Sequence, residues 1–524
     1  MRKNVILAPL LDKLEAALVD RNIKAGFLLL DRSFPATAKL EFSGPRSISV
    51  LLCVAQWVDL GYRDVGFFDQ FAEGCARIDR AQISVLDFLK LRLAEAYRCL
   101  TCEQIEESIT ALNLVLQIQG DILPAHLVFL THFWKGRAHR KRGDYEHAQF
   151  HIAAARRTAE QMKAPRLVAF AKIHESWLSF QRGERQQALE MLNEAERSLR
   201  PTGHGLSLGN IESARGRFVR RSGEYTRALD HFAAAIAIYK ASYPNHPNLA
   251  RAMVNAAYVK RLIALELQPR GKQAIGQTHA KSIRISGEAL DLLDQALKIY
   301  VLHRHQAGTG SVLVNAAHLH LESGDIDRAA AEGVRALALG KEKGDQILMA
   351  RAHIVLSAVE LERAEEQVGE QPDVASHAGS AVEHADKAIA LALQTQNKRL
   401  LAEAFIARGF AAAGDYFQEW EVAKDYASKA SALLTYDDRD HLFKLLRDLK
   451  SKIVGATRID DTLRMWTDGQ LGGKTFQQIQ EEFAELVIPK VWINSGRNVT
   501  VVSKQLRISP KKVRRLLRNA KLTD

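Results

Sequence analysis

At 524 residues the chain exceeds what one hydrophobic core usually organises, which leaves either several domains or one extended repeat array. Pro is scarce at 12, Ala and Leu abound, and alternating runs of Val, Ile and Thr are nearly absent, so the composition excludes a sheet protein and predicts an all-α chain. The formal charge of +12 is unevenly placed: residues 474–524 carry eleven Lys and Arg against four acidic residues, or +7, leaving +5 for the other 473, and a basic terminal block of this kind suits a polyanionic partner.

From Met1 to Pro9 there is neither a secretory core of sufficient length nor a small-residue cleavage site, and no run approaches about 18 consecutive apolar residues. The expected location is the cytoplasm, with no membrane partner. Cys53, Cys75, Cys99 and Cys102 all fall in the first fifth and are expected to be reduced thiols. Cys99-Leu-Thr-Cys102 has the spacing of half a zinc site, but it lies in a helical pattern with no second pair and no nearby His, so no metal is expected there.

A repeat follows along the chain. Gly143-Asp144-Tyr145 leads to Ala148 and Ala155, Gly183-Glu184-Arg185 to Ala188 and Ala195, Gly223-Glu224-Tyr225 to Ala228 and Ala235, and Gly324-Asp325-Ile326 to Ala329 and Ala336, with the same offsets each time. The Ala pair returns at Ala289/Ala296, Ala381/Ala388 and Ala423/Ala430. Seven residues is about two helical turns, so both Ala of a pair face one neighbouring helix, and Gly supplies the sharp turn before it. The first Ala positions are 40, 40, 61, 40, 52 and 42 residues apart, with insertions near residues 268–278 and 367–377. Extrapolation upstream by 40 gives Ser108/Val115 and then Phe68/Cys75, a weaker pattern that starts the array near the N-terminus.

These Gly and Ala offsets resemble the tetratricopeptide superfamily, in which stacked helical hairpins form an α-solenoid. His246-Pro247-Asn248-Leu249-Ala250 followed by Asn255-Ala256-Ala257 looks like the first helix of the long-repeat, kinesin-light-chain-like subclass, and Val314-Asn315-Ala316-Ala317 repeats its central Asn. The resemblance implies an array of nine or so hairpins over residues 1–453, whose first helices line a groove. Asn255 and Asn315 would bind a peptide or protein partner there, since an amide both donates and accepts; the alternative is that they only bond neighbouring helices.

Residues 454–475 read as a linker with a short helix near Leu463 to Trp466. Gly472-Gly473-Lys474-Thr475 is not a phosphate loop, because position 468 is Asp where Gly is needed. An amphipathic helix is expected from Phe476 to Asn494, with Phe476, Ile479, Phe483, Leu486, Val487 and Val491 on one face and Pro489 bending or dividing it. Two short helices then need apolar residues at Val502, Leu506, Ile508, Val513 and Leu516, with Ser503 as the small residue at their crossing, Ser509 as a cap and Pro510 in the first turn. From Gly496 to Leu522 there are nine basic residues and no acidic one.

Residues 476–524 resemble the Fis-type helix-turn-helix that ends nitrogen-regulator-type activators. That resemblance implies double-stranded DNA as partner, a homodimer formed through the preceding helix with Trp492 or Val491 exposed for contact, and a recognition helix over 510–519. Asn498 and Thr500 would approach phosphates, as would Arg497, Lys504 and Arg518, while Lys511, Lys512 and Arg515 would face bases and Arg514 adds to the same outward surface. The family prefers Gly where Arg507 stands and Ala where Ser503 stands. His303, His305, His318 and His320 are spaced two apart, unlike an i, i+4 metal pair, and are expected on solvated faces. No nucleophile elbow, kinase signature or dinucleotide fingerprint occurs, so neither an enzyme nor a cofactor is expected. The expectation is a bacterial DNA-binding regulator whose array senses a ligand; the rival is a protein scaffold with a nonspecific nucleic-acid-binding tail.

Overall fold

A computed structural model of the chain describes residues 7–34, 45–63, 65–118, 120, 122–267, 277–366, 371–435, 439–457, 473–519 and 522. Among the described residues there are 24 α-helices, two short 3-10 turns and no strand. Residues 1–450 form one compact unit and 451–524 a second.

In the first unit the helices follow one another as pairs: α1 (Leu7–Val19) and α2 (Ile23–Ser33), α3 (Pro45–Asp59) and α4 (Val65–Cys75), α5 (Val85–Thr101) and α6 (Ile105–Ile118), α7 (Ala125–Arg142) and α8 (Tyr145–Gln161), α9 (Pro165–Gln181) and α10 (Arg185–Leu199). The series continues with α11 (Gly205–Arg221) and α12 (Tyr225–Ser242), α13 (Pro247–Leu267) and α14 (Gln277–Leu302), α15 (Gln306–Glu322) and α16 (Ile326–Lys343), α17 (Gln346–Glu366) and α18 (Gln371–Leu393), α19 (Lys398–Ala412) and α20 (Trp420–Leu433), then α21 (His441–Thr457). The expected array end at 453 thus falls within α21. The helix expected near Leu463 to Trp466 lies outside the described residues.

Local chemistry sets the hairpins. Gly143, Gly183, Gly223 and Gly324 all have φ between +79 and +91°, a region that costs other residues about 1–2 kcal/mol. Where Asp follows, it caps the second helix: Asp144 accepts from the His147 N–H at 3.2 Å and Asp325 from the Arg328 N–H at 3.2 Å. All fourteen paired Ala sit on second helices at 0% exposure, so each is a point of close helix approach with no room for a longer side chain. The weaker upstream positions obey the same rule. Ser108, Val115, Phe68 and Cys75 are buried, and Ser108 fits an Ala slot by donating to the Ala96 carbonyl at 2.9 Å.

The array winds back on itself. The Gln396 N–H donates to the Gly143 carbonyl at 2.9 Å, and the Gln396 side chain accepts from the Glu146 N–H at 2.7 Å, across 250 residues of sequence. The Glu103 carboxylate accepts the Ala307 N–H at 3.1 Å across 204 residues, and the Arg439 N–H donates to the Arg221 carbonyl at 3.1 Å. Turns of early pairs therefore meet the loops of late pairs, and the first-helix faces between them line an open cavity.

The second unit holds α22 (Phe476–Asn494), α23 (Val499–Leu506) and α24 (Pro510–Asn519). Thr475 and Gln478 form a capping box that starts α22, which gives the Lys474-Thr475 pair a structural role. Pro489, expected to bend or divide this helix, does not divide α22, which runs from 476 to 494. The second half of α22 supplies the core: Ile488 and Trp492 pack with Val502, Val513, Leu516 and Leu517, and Leu506 and Ile508 lie half-buried against them. Trp492, expected as an exposed dimer contact, is instead buried in this core. Phe476 and Phe483 in the first half remain exposed.

Candidate functional sites: a basic cavity and a basic helical tip

The cavity of the first unit is open to solvent on one side and has a volume of about 1360 Å³. Its wall carries eleven Lys and Arg and eight Asp and Glu, and Glu322 behind it pairs with Arg261, which leaves a surplus of two positive charges. Several of these cations are neutralised within the wall. Arg142 pairs with Glu106 at 3.0 Å and Asp144 at 2.8 Å, Arg261 bonds Glu322 at 2.6 Å, and Arg399 pairs with Asp440.

A second set is not neutralised. Arg140 on α7, Arg217 on α11 and Arg251 on α13 have no carboxylate within ion-pair distance among the described residues. Arg140 lies over the Trp177 ring at 5.4 Å, and Arg217 donates only to the Ser213 carbonyl at 3.3 Å. Burial, then the neighbouring Arg251 charge, pushes the Arg140 guanidinium down to about 9, and burial followed by Arg251 and Arg140 does the same to Arg217. Lys141 is lowered to about 8 by burial, although Glu103 opposes the shift. Burial also raises Glu103, Asp345 and Glu403 above the usual carboxylate range.

The two Asn singled out from the sequence both line this cavity, on α13 and α15. Asn255 donates to the Arg251 carbonyl at 2.8 Å and accepts from Arg220 at 3.4 Å, while Arg220 lies 4.7 Å over the Tyr258 ring. Asn315 is 2% exposed and donates to the Ser311 carbonyl at 2.7 Å; its Oδ1 has no partner among the described residues. The sequence reading missed the arginines, although each falls on a first helix. His305 and His318 also line the wall, a correction to their expected place on solvated faces, because first helices turn their polar faces inward here.

At the cavity rim His139, Asp144 and His147 bring three possible metal-ligand atoms within 4.8 Å of one another. The Arg142 Nη2 already stands among them, 2.8 Å from Asp144 Oδ2 and 3.2 Å from His139 Nδ1, so a guanidinium supplies the positive charge a metal would bring. The four Cys are free thiols, Cys53 and Cys75 buried and Cys102 exposed.

The second site is the tip formed by α23 and α24. Asn498 caps α23 by accepting the Thr500 N–H at 2.9 Å and the Val501 N–H at 3.3 Å, and Ser509 caps α24 through the Lys512 N–H at 3.2 Å. Their side chains are thereby committed to backbone. Arg507 takes the left-handed conformation at φ 51° between the helices, and Ser503 donates to the Ile508 carbonyl at 2.6 Å, holding the turn closed. Arg497, Thr500, Lys504, Lys511, Lys512, Arg514, Arg515 and Arg518 are all exposed. Arg515 alone among the ten residues expected at DNA has an ion pair among the described residues, with Glu481 of α22 at 2.9 Å.

No family model matches the chain, and no curated protein matches it. Solved structures do. A Rap protein complexed with competence and sporulation factor matches 74% of this chain and 99% of its own, with a TM-score of 0.52 and 12% identity. The apo form of the quorum sensor NprR from B. thuringiensis covers 72% of this chain and 97% of its own at a TM-score of 0.45 and 13% identity. A monomeric mutant of IFIT1 with Gppp-AAAA covers 81% and 87% at 0.45 and 14%. At 12% identity the likeness to the Rap protein is one of fold: the chain carries an α-helical repeat array.

Proposed function

We propose that the protein is a DNA-binding transcriptional regulator in which the repeat array binds a peptide or protein ligand and the C-terminal unit is a Fis-type helix-turn-helix. The observation that carries this reading is the tip itself: two short capped helices joined by a tight turn over their own apolar core, with nine basic and no acidic residues from 496 to 522. Phosphates supply affinity to such a surface and Arg or Lys on the second helix reads base edges. One recognition helix buries too little for a specific site, so the regulator acts as a homodimer on an inverted repeat. The exposed Phe476 and Phe483 on α22 are apolar surface suited to that pairing.

The ligand half of the reading rests on the cavity. It is lined by Asn255 and Asn315, and the Rap protein that shares the fold was solved with competence and sporulation factor bound. The protein works by binding, without catalysis, in the cytoplasm of a bacterium. The test separates base reading from phosphate affinity. Arg515→Ala lowers affinity for the preferred DNA by about 1–3 kcal/mol and relaxes preference at one position, whereas Lys504→Ala weakens all sequences alike. Equal losses on preferred and random DNA in both variants would remove the base-reading role and favour the scaffold with a nonspecific tail.

A further inference from the structure

We infer that the cavity of the repeat array takes a ligand of clustered negative charge, a multivalent carboxylate or phosphate anion clamped by Arg140, Arg217 and Arg251. The inference deepens the ligand half of the proposed function and depends on it only for the cavity being a ligand site.

The argument starts from cost. A guanidinium withdrawn from bulk water without a counter-ion is unfavourable, and three that repel one another are more so, because desolvation and like charge add. Proteins meet that cost in the wall itself where the wall is structural, as Arg142, Arg261 and Arg399 show with their carboxylate partners. Arg140 and Arg217, half-buried on α7 and α11, and Arg251, exposed on α13 and bonded to the Asn248 side chain, line one cavity with no such partner among the described residues, and with Glu322 set against Arg261 a surplus of two positive charges remains. Burial, then the neighbouring guanidinium charges, lowers Arg140 and Arg217 to about 9, in the same direction as the missing ion pairs.

The acidic groups nearby do not substitute. Glu103 is committed to the Ala307 N–H and, like Glu403, is pushed by burial toward its neutral form. A monoanion would leave part of the surplus in place; a ligand with two or more carboxylates or phosphates matches it. Arg forks suit both groups, since each presents paired oxygens to two parallel N–H donors. Asn315, buried in the same wall with Oδ1 unpartnered, offers an acceptor for a ligand N–H such as a peptide amide or a nucleobase amine.

The experiment uses the full-length protein and two probe sets at constant ionic strength. The first is an array of random heptapeptides read with labelled protein; the second is inorganic tripolyphosphate and ATP, followed by calorimetry and thermal shift against a sulfate control. Each is repeated with Arg217→Gln and with Arg140→Gln/Arg251→Gln, and with Lys511→Ala/Lys512→Ala to remove anion binding at the tip. The expected result is selection of peptides with two or more Asp or Glu, or binding of tripolyphosphate or ATP, weakened at least about tenfold by the cavity variants and unchanged by the tip variant. Which probe set binds decides between carboxylate and phosphate as the source. The cavity variants without ligand should unfold at or above the wild-type temperature, since they relieve unpaired charge, so a loss of binding is not a loss of fold.

Preference for neutral or basic peptides would overturn the anion inference and leave the peptide reading standing. Phosphate binding without any peptide binding would keep the inference and end the peptide reading. Binding of neither anion, or anion binding that survives in the cavity variants, would overturn the inference outright.

Discussion

If the proposed DNA-binding role holds, the Glu481 carboxylate competes with DNA for Arg515, and the exposure of the pair bounds that competition. The two groups lie 2.9 Å apart with 56 and 57% of their side chains exposed. A pair so exposed is worth about 0–1 kcal/mol, while an Arg fork on a guanine is worth about 1–3 kcal/mol, so Arg515 leaves Glu481 when a base is offered and binding bears the difference. Glu481→Gln removes the competitor and one negative charge beside the phosphates. Affinity for the preferred DNA should rise, by up to about fivefold for 1 kcal/mol. The assay is fluorescence anisotropy of the full-length protein between about 0.05 and 0.2 M salt, where phosphate contacts are strongly salt-dependent. In the Arg515→Ala background the gain should shrink to the small through-space part, a coupling the double-mutant cycle measures directly. An unchanged or weakened affinity in Glu481→Gln, or an equal gain with Arg515 absent, would refute the assignment of Arg515 to the DNA face.

Three further outcomes follow from the array. Gly223→Ala should destabilise it by more than Gly324→Ala in urea unfolding: both have positive φ, costing about 1–2 kcal/mol, but a Cβ at Gly223 would lie 2.8 Å from the Arg439 carbonyl oxygen and at Gly324 would meet nothing. Equal losses would mean that the docking of the Gly223 turn on Arg439 contributes nothing. Ala228→Leu, at a position with 0% exposure on α12, should cost about 1–3 kcal/mol through overpacking, and a neutral result would show that the pair does not mark a close helix crossing. Acid should destabilise the array. Burial lowers His132 and His353 from 6.5 to about 4 and His151 and His441 to about 3, so the unfolded chain takes up protons that the folded one refuses. Stability is then full above pH 6.5 and falls as pH drops toward 4; His132 and His151, with Nδ1 atoms 2.9 Å apart, need one neutral ring to keep their bond. A urea midpoint that stays flat from pH 7 to about 4.5 would contradict this.

The array was legible because its signal is steric and repeats. Only a small residue tolerates the crossing at Ala148 or Ala155, and only Gly turns readily at 143, so composition at fixed offsets reports geometry directly. The same logic reached back to Ser108/Val115 and Phe68/Cys75, where the residue types change but burial does not. The core of the tip was legible at Val502, Val513 and Leu516 for the same reason. Trp492 was misread because a local rule was applied without its surroundings: an indole beside a small helical pair is a side chain that closes its core. The cavity arginines were not legible at all. Arg140, Arg217 and Arg251 are ordinary polar residues of amphipathic helices until the winding of the array brings α7, α11 and α13 around one space, and that winding depends on bonds between residues 204 and 250 apart.

The most direct test of the account is selection of random and genomic DNA fragments by the full-length protein beside a variant with Lys511, Lys512 and Arg515 changed to Ala. The account predicts an enriched inverted repeat with the wild type and its loss with the variant. Absence of any enriched sequence, or the same enrichment in both proteins, would contradict it.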